Sequence, residues 1–370
     1  MSALDRYLAR EILLPFGAGL LFLTQLLLAT QLLAQGDVLF GAGVSLVDLG
    51  LVCLFILPHL LGYVLPVAFL LGAVVGVGRL AEDRELVALS AAGIAPSRLV
   101  RVPALLGALA TAAALFLSLQ VEPAGLRAAR QRLDDLIKRN VTSEVRSGTF
   151  FVDIPDVTLY AEQVKKDGWH HVLISDRTDP AAPLLALAEV GKLRPGEAGS
   201  TLELVLARGE AHREELSQGE YVTARFRKGS IDVGVGQTLE ERNRLVGSPF
   251  ELTPGDILGL ARRADAQRPD EARRWRTFLH RRIAGPLALL AFALLAVPIA
   301  ASRRGGRAFG YVATLLAVVA YYALLRVGEG LSQRGAVPYW LGPELANLAF
   351  AAVGLAAVLL MNRRGAGAVR

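Results

Sequence analysis

The sequence predicts a membrane α-helical protein: six transmembrane helices, with an extracytoplasmic all-β domain inserted between the third and fourth. Three observations predict it. Uncharged stretches of bilayer length recur along the chain. Lys and Arg are shared unequally between the short connections on alternate sides. The middle of the chain changes from a helical period to a period of two. Apolar residues make up 53% of the chain, above the roughly 45–50% of a soluble domain with glycine counted in.

A spanning helix needs about 20 mainly apolar residues, which gives spans at Ile12–Leu33, Leu49–Val77, Leu99–Leu119, Ile283–Ala301, Ala308–Val327 and Leu341–Met361. The first is too long for a signal-peptide core and reads as a retained helix. The second is overlong and holds Pro58 and Pro66, so a tilt or kink is expected. Gly72 and Gly76 near its end form a small-xxx-small pattern that permits close packing within the subunit. Pro123 is expected to end the third span. The boundaries are therefore 1–121 for the first three helices, 122–282 for the inserted domain and 283–370 for the last three.

Orientation follows from charge. Arg6 and Arg10 precede the first span, Arg79, Arg84, Arg98 and Arg101 lie beside the second connection, and Arg303, Arg304 and Arg307 separate the fourth and fifth spans. Connection 35–48 has no Lys or Arg, and 328–340 has only Arg334. This bias puts both termini in the cytoplasm and the long block outside. The formal charge of +6 does not point to nucleic acid, because no basic stretch interleaves with aromatics.

After a basic helical stretch, Leu126 to Ile137, the period becomes two. Leu202, Leu204 and Leu206 alternate with Thr201, Glu203 and Val205. Val222, Ala224 and Phe226 do so against Tyr221, Thr223 and Arg225, and Ile231, Val233 and Val235 against Asp232 and Gly234. Such strands have one apolar face, and the turns Lys166-Asp167-Gly168, Pro195-Gly196-Glu197 and Gln218-Gly219-Glu220 divide them. A sandwich, jelly roll or open barrel fits, either as a plain domain or as an open trough for acyl chains. After Thr253-Pro254-Gly255-Asp256 the helical period returns.

Several chemistries are excluded or unsupported. Cys53 is the single cysteine, so there is no disulfide or cysteine-based metal site. His170 and His171 are adjacent on a strand and point to opposite faces, so they cannot jointly chelate one ion, and no metal is expected. There is no GxxxxGK[ST] loop to hold ATP phosphates and no GxSxG nucleophile elbow. Within the spans, Gln25 and Gln31 either line a cavity or hydrogen-bond a neighbouring helix. His59 reads as a satisfied packing residue, and Arg326 and Glu329 as a local ion pair. A secondary transporter, or a scaffold or sensor with a ligand-binding β domain, is the alternative class; the scarcity of acidic residues in the spans counts against the former.

Asp5-Arg6-Tyr7-Leu8-Ala9-Arg10-Glu11, the segment from Arg84 to Gly93, His280-Arg281-Arg282-Ile283-Ala284-Gly285-Pro286-Leu287, and Val297-Pro298-Ile299 with Arg303-Arg304-Gly305-Gly306-Arg307 occur in one order around a 3+3 helix plan. In that order the chain resembles the lipopolysaccharide-export permeases of the LptF/LptG family. The resemblance implies a permease subunit of an ABC-type exporter, one half of an LptF–LptG pair, with no cofactor or enzymatic step of its own. Two copies of a cytoplasmic ATPase, LptB, would power it. It would extract lipopolysaccharide from the outer leaflet of the inner membrane, and a β-jellyroll would pass the lipid to a similar domain on LptC and a periplasmic bridge. Arg10-Glu11, Val297-Pro298 and the Arg-Gly-Gly-Arg loop look more like LptF, whereas Leu4-Asp5-Arg6-Tyr7 is also seen in LptG. In the family the first and fifth helices form lateral gates between subunits.

Two sites follow. Residues 80–93 form the cytoplasmic connection with helical character: Leu86 and Leu89 share a face, Glu82 and Glu85 lie in its first turns, and Gly93 and Pro96 end it. This coupling helix is expected to dock in a groove of the ATPase, with Glu85 paired to a basic residue. Arg127, Arg130 and Arg132 after the third span, and Arg273, Arg274, Arg276, Arg281 and Arg282 before the fourth, are expected to face lipid phosphates or to be tolerated there because long domains translocate regardless of charge. A topology reporter fused near residue 200 is expected to read extracytoplasmic; a cytosolic signal would put both sites on the wrong faces.

Overall fold

Among the described residues, six helices are long and apolar enough to cross a membrane, each built over one of the mainly apolar runs. The computed structural model describes residues 2–34, 45–144, 147–154, 157–165, 168–177, 183–195, 202–215, 220–233, 248–265, 267–302 and 306–364. Arg303, Arg304, Val235 and the turn residues Lys166-Asp167, Gly196-Glu197 and Gln218-Gly219 lie outside them. Two compact units result. One comprises Met1–Ala34, Cys53–Leu126 and Pro249–Arg370, and the other Gln35–Val52 and Arg127–Ser248.

The helices are α1 (Ala3–Ala34), α2 (Leu46–Glu82), α3 (Glu85–Ala91), α4 (Pro96–Phe116), α5 (Glu122–Glu144), α6 (Pro254–Ala264), α7 (Pro269–Ala301), α8 (Gly306–Gln333) and α9 (Leu341–Arg364). In the first unit the helices close on a core that includes Leu8, Ile12, Phe69, Leu70, Phe292 and Tyr321, all fully buried or nearly so. The small-xxx-small pair does pack within the subunit. A Cβ at Gly76 would lie 2.5 Å from the Glu11 carbonyl oxygen, and one at Gly72 2.5 Å from Phe16 Cα. Pro15 inside α1 has no N–H for that same Glu11 carbonyl, so α1 loses one hydrogen bond where it rests on α2.

Burial is uneven. In their most apolar windows, 61% of residues are buried in α2 and 56% in α7, against 6% in α1 and 17% in α8. The first and fifth spans therefore have the least cover from the rest of their own chain.

Three boundaries differ from the sequence reading. Pro123 does not end the third span: α4 runs through a π-helical turn, Leu117–Val121, directly into α5. In the wider turn the Glu122 N–H bonds the Leu117 carbonyl five residues back, which gives room for a proline one residue later. The fourth span begins at Pro269 rather than Ile283, because Pro269 occupies the first helical position and Asp270 and Glu271 complement the helix dipole. Arg273, Arg274, Arg276, Arg281 and Arg282 thus lie on α7 itself. The expected 80–93 helix is two elements: α2 continues to Glu82, and Arg84, at φ 60°, breaks the chain before α3. Gly93, at φ 81°, then closes α3. Its N–H bonds Ser90 and the next N–H bonds Leu89, the paired bonds of a Schellman cap. Thr253 and Asp256 form a reciprocal capping box at the start of α6.

The second unit holds, among the described residues, six antiparallel strands paired in sequence order: β1 (Thr149–Ile154), β2 (Val157–Lys165), β3 (Gly168–Asp176), β4 (Leu184–Pro195), β5 (Leu202–Glu215) and β6 (Glu220–Val233). Among the described residues this is a meander, without the crossover a jelly roll uses. Leu159, Val172, Ile174, Ala186, Leu204 and Leu206 supply its core. Val222, read as inward-facing, is exposed near the start of the edge strand β6.

One transverse row interrupts the sheet. The pairs Glu162/His171, His171/Glu189, Glu189/Arg208 and Arg208/Arg227 are missing from four successive ladders, although the register on either side is unchanged. His171 and Arg208 there have φ of 51° and 54°. Inward-facing positions step by three across the row, from buried Ala161 to partly buried Val164, and from Trp169 to Val172 and Ala188 to Gly191, all buried, where strands normally step by two. The odd step returns the apolar side chains to the same face beyond the crease. Ion pairs run along it: His171 Nδ1 is 2.9 Å from Glu162 Oε2, and Arg208 Nε is 2.8 Å from Glu189 Oε2.

Because Gly76 touches backbone rather than a movable side chain, Gly76→Val should lower stability by about 1–3 kcal/mol, as overpacking does. Thermal unfolding in detergent measures this, and Gly62→Val, where a Cβ meets nothing within 4 Å, should shift the midpoint far less.

Candidate functional site

A cavity of about 600 Å³ lies in the first unit, lined by α1 (Leu23, Leu26, Leu27, Gln31), α2 (His59, Tyr63, Val67), the π-turn and the residue after it (Ser118, Glu122), Phe250, α7 (Arg281, Arg282) and α8 (Tyr322, Leu325, Arg326). Its walls are mostly aliphatic and aromatic, and its charges gather in two clusters.

The first cluster grows out of the π-turn. In an α-helix the Ser118 carbonyl would accept from the Glu122 N–H, but that donor has gone to Leu117. The donor a π register would offer next is residue 123, a proline. Ser118 C=O is therefore orphaned at a buried position, and the Arg282 guanidinium supplies it with a hydrogen bond through Nη2. Arg282 Nη1 donates to the Leu252 carbonyl at 2.7 Å, and the guanidinium lies 3.6 Å from Glu122 Oε2. The Ser118 hydroxyl is 3.2 Å from the same carboxylate oxygen. His59 Nδ1 is 2.6 Å from Glu122 Oε1, and it must be the donor if the carboxylate, which only accepts, is ionised. The His59 ring packs edge-on against Tyr63 and Phe250, with centroids 5.3 and 4.9 Å away.

The second cluster centres on Glu329, 7% exposed. It accepts from Arg281 at 3.1 Å, Arg326 at 3.2 Å and Gln333 at 3.4 Å. Arg281 also lies over the Phe250 ring, 5.8 Å from its centroid. Three guanidiniums, Arg281, Arg282 and Arg326, face two carboxylates, Glu122 and Glu329. A cavity of apolar walls and surplus positive charge suits an amphiphile with an anionic head.

The cavity gathers Gln31, Arg281 and Arg282 of the residues singled out from sequence. Arg282 needs correction: at 3% exposed, with both terminal nitrogens held by carbonyls of its own chain, it is built into the frame rather than offered to a ligand. Arg326, read only as a local ion pair, does form that pair, and it also presents the more exposed guanidinium. Gln25 and Arg274 are exposed and absent from the lining. Arg127, Arg130 and Arg132 belong to the second unit, where Arg132 is paired with Asp48. Glu122 and Ser118 were missed. The available signal was a carboxylate directly before a proline at the end of an apolar run.

Of the expected docking helix, Glu82 closes α2 and Glu85 opens α3. Leu86 and Leu89 do share a face, and it turns inward: Leu86 is buried in the chain's own core and Leu89 packs against it, while Val87, Ala88 and Ala91 are exposed. A second cavity of about 760 Å³ adjoins this surface, lined in part by Arg79, Arg84, Val87, Ser302 and Tyr311. Among the described residues, no group of three or more His, Cys, Asp or Glu could hold a metal ion.

The family described as lipopolysaccharide export system permease LptF/LptG matches residues 6–362. No curated protein matches the chain.

Removing one member of a buried charge cluster strands the other. Arg282→Leu leaves Glu122 without its guanidinium and Ser118 C=O without a donor, so stability in detergent should fall by about 3 kcal/mol or more. Arg326→Leu, at the exposed edge, should stay within about 0.5 kcal/mol of the parent in the same unfolding assay.

Proposed function

For a chain that belongs to the LptF/LptG family of lipopolysaccharide export system permeases, we propose the role of an LptF-type half of an ABC-type exporter. It takes lipopolysaccharide from the outer leaflet of the inner membrane and hands it to the β domain and then to a bridge that begins with LptC. The observation that carries this reading is the cavity between α1, α2, α7 and α8, whose walls are mostly aliphatic and aromatic and which is bordered by Arg281 and Arg326. Acyl chains match its aliphatic walls, and phosphate oxygens match guanidinium forks. Arg282 contributes by holding the π-turn in place rather than by touching lipid.

The sparse burial of α1 and α8 supports a second permease subunit packed against them. Membrane helices associate by packing and hydrogen bonds, so long spans with few intrachain neighbours are natural interfaces. Both termini and α3 face the cytoplasm, in accord with the arginine bias of the short connections. There α3 offers Glu85, Val87 and Ala88 to a separate ATPase, two copies of LptB serving the pair of permeases. The sheet unit faces the periplasm.

Purification in mild detergent after co-expression with a partner permease and the ATPase tests the proposal. The ATPase and bound lipopolysaccharide should elute together with this chain. Arg326→Glu combined with Arg281→Glu should reduce photo-crosslinking of lipopolysaccharide from a probe at Leu27 by roughly tenfold, the loss of one or two charge-assisted contacts. Undiminished crosslinking would remove the phosphate role, and absence of the ATPase would remove the exporter reading.

A further inference from the structure

The start of α1 is fastened to both sides of the α3 segment. The Tyr7 hydroxyl lies 3.1 and 3.0 Å from the two carboxylate oxygens of Glu85, the first residue of α3. On the far side of α3, Arg98 in the first turn of α4 pairs with Asp5 at 2.8 Å and donates to the Ser2 hydroxyl at 3.3 Å. Beneath these polar ties, Leu8 and Ile12 are fully buried in the same core as Leu86 and Leu80. Gly76 seats Glu11 directly on α2. Beyond Phe16, which still rests on Gly72 of α2, the helix changes character: Leu21 and Phe22 are exposed, and Leu23, Leu26, Leu27 and Gln31 line the cavity. One helix thus has a clamped end at the docking element and an uncovered end at the cavity.

We propose that Tyr7 and Asp5 are positioning residues that transmit displacement of α3 to α1, so that nucleotide-driven movement of the docking helix shifts the cavity wall. This rests on the exporter reading and deepens it. Tyr7 holds the Glu85 carboxylate through a neutral donor, leaving its charge for a basic group on the ATPase, and it moves whenever Glu85 moves. Arg98 with Asp5 supplies the second attachment, so a rotation of α3 cannot slip past α1 about a single contact. The Phe16–Gly72 contact marks where the clamped part gives way to the part that swings. The link is a physical chain of contacts from one site to the other, and its coupling is measurable.

The test uses the full complex in nanodiscs, in a Cys53→Ser background. Phe22→Cys on α1 and Leu355→Cys on α9, both at exposed positions, carry spin labels. In the parent complex the distance distribution between the labels should shift on nucleotide binding. Tyr7→Phe with Asp5→Asn should abolish that shift and lower lipopolysaccharide moved per ATP hydrolysed by about threefold or more, the scale of losing such contacts. ATPase recovery and the hydrolysis rate should stay at parental values, which a merely structural role would not predict. Tyr7→Phe removes one exposed hydroxyl, and Arg98→Gln cuts the second tie from the other partner, so a fold defect in one variant does not obscure the outcome. A parental shift and transport ratio in all variants would overturn the relay while leaving the exporter reading intact. Failure of the parent complex to bind the ATPase would overturn both.

Discussion

In a hydrocarbon surrounding, every backbone polar group must find its partner inside the protein, and at Ser118 that partner is a side chain from a distant helix. Pro123 removes one donor, the π-turn reassigns another, and a carbonyl is left open near the end of the apolar part of the helix. Arg282 closes it. A guanidinium brought that deep needs a counter-charge, which Glu122 provides, and the second oxygen of Glu122 is satisfied by His59. One missing N–H thus accounts for a buried cluster that fastens α2, the π-turn and α7 together, and that cluster forms one wall of the cavity.

The polar frame divides labour with the apolar surfaces. Arg282 and Glu122 are spent on each other and on backbone, so they fix geometry. Arg281 and Arg326 share the carboxylate of Glu329 at a more open edge, where an incoming anion can compete for them. The helix that completes the cavity, α1, is held firmly over its first half, through Gly72, Gly76, Leu8 and the Tyr7–Glu85 contact. A permease needs a rigid frame and one wall that can yield, and the distribution of burial provides both.

In the sheet, the crease from Glu162 through His171, Glu189 and Arg208 to Arg227 solves a different problem. A long strand that kept perfect alternation would keep its apolar residues on one face only while their spacing stayed even. Here the spacing becomes odd on neighbouring strands at one level, and left-handed residues at His171 and Arg208 absorb the change. Charged residues occupy the row, because its backbone does not complete the ladder and its side chains remain exposed.

By itself the sequence determined the six spans, the inserted antiparallel sheet, the close approach at Gly72 and Gly76, the Gly93 cap and the Thr253–Asp256 start of α6, because each depends on residues adjacent in the chain or on a local period. Only the tertiary structure decided that Pro123 is spanned rather than obeyed, that Leu86 and Leu89 turn inward, that Arg282 is interior while Arg326 is at the edge, and that Glu122 joins His59. Those outcomes depend on which distant group stands opposite a given carbonyl, leucine or guanidinium. A one-dimensional pattern fixes how a helix is built but not what meets it across 60 or 160 residues of intervening chain, such as Glu122 from His59 or Arg282 from Ser118.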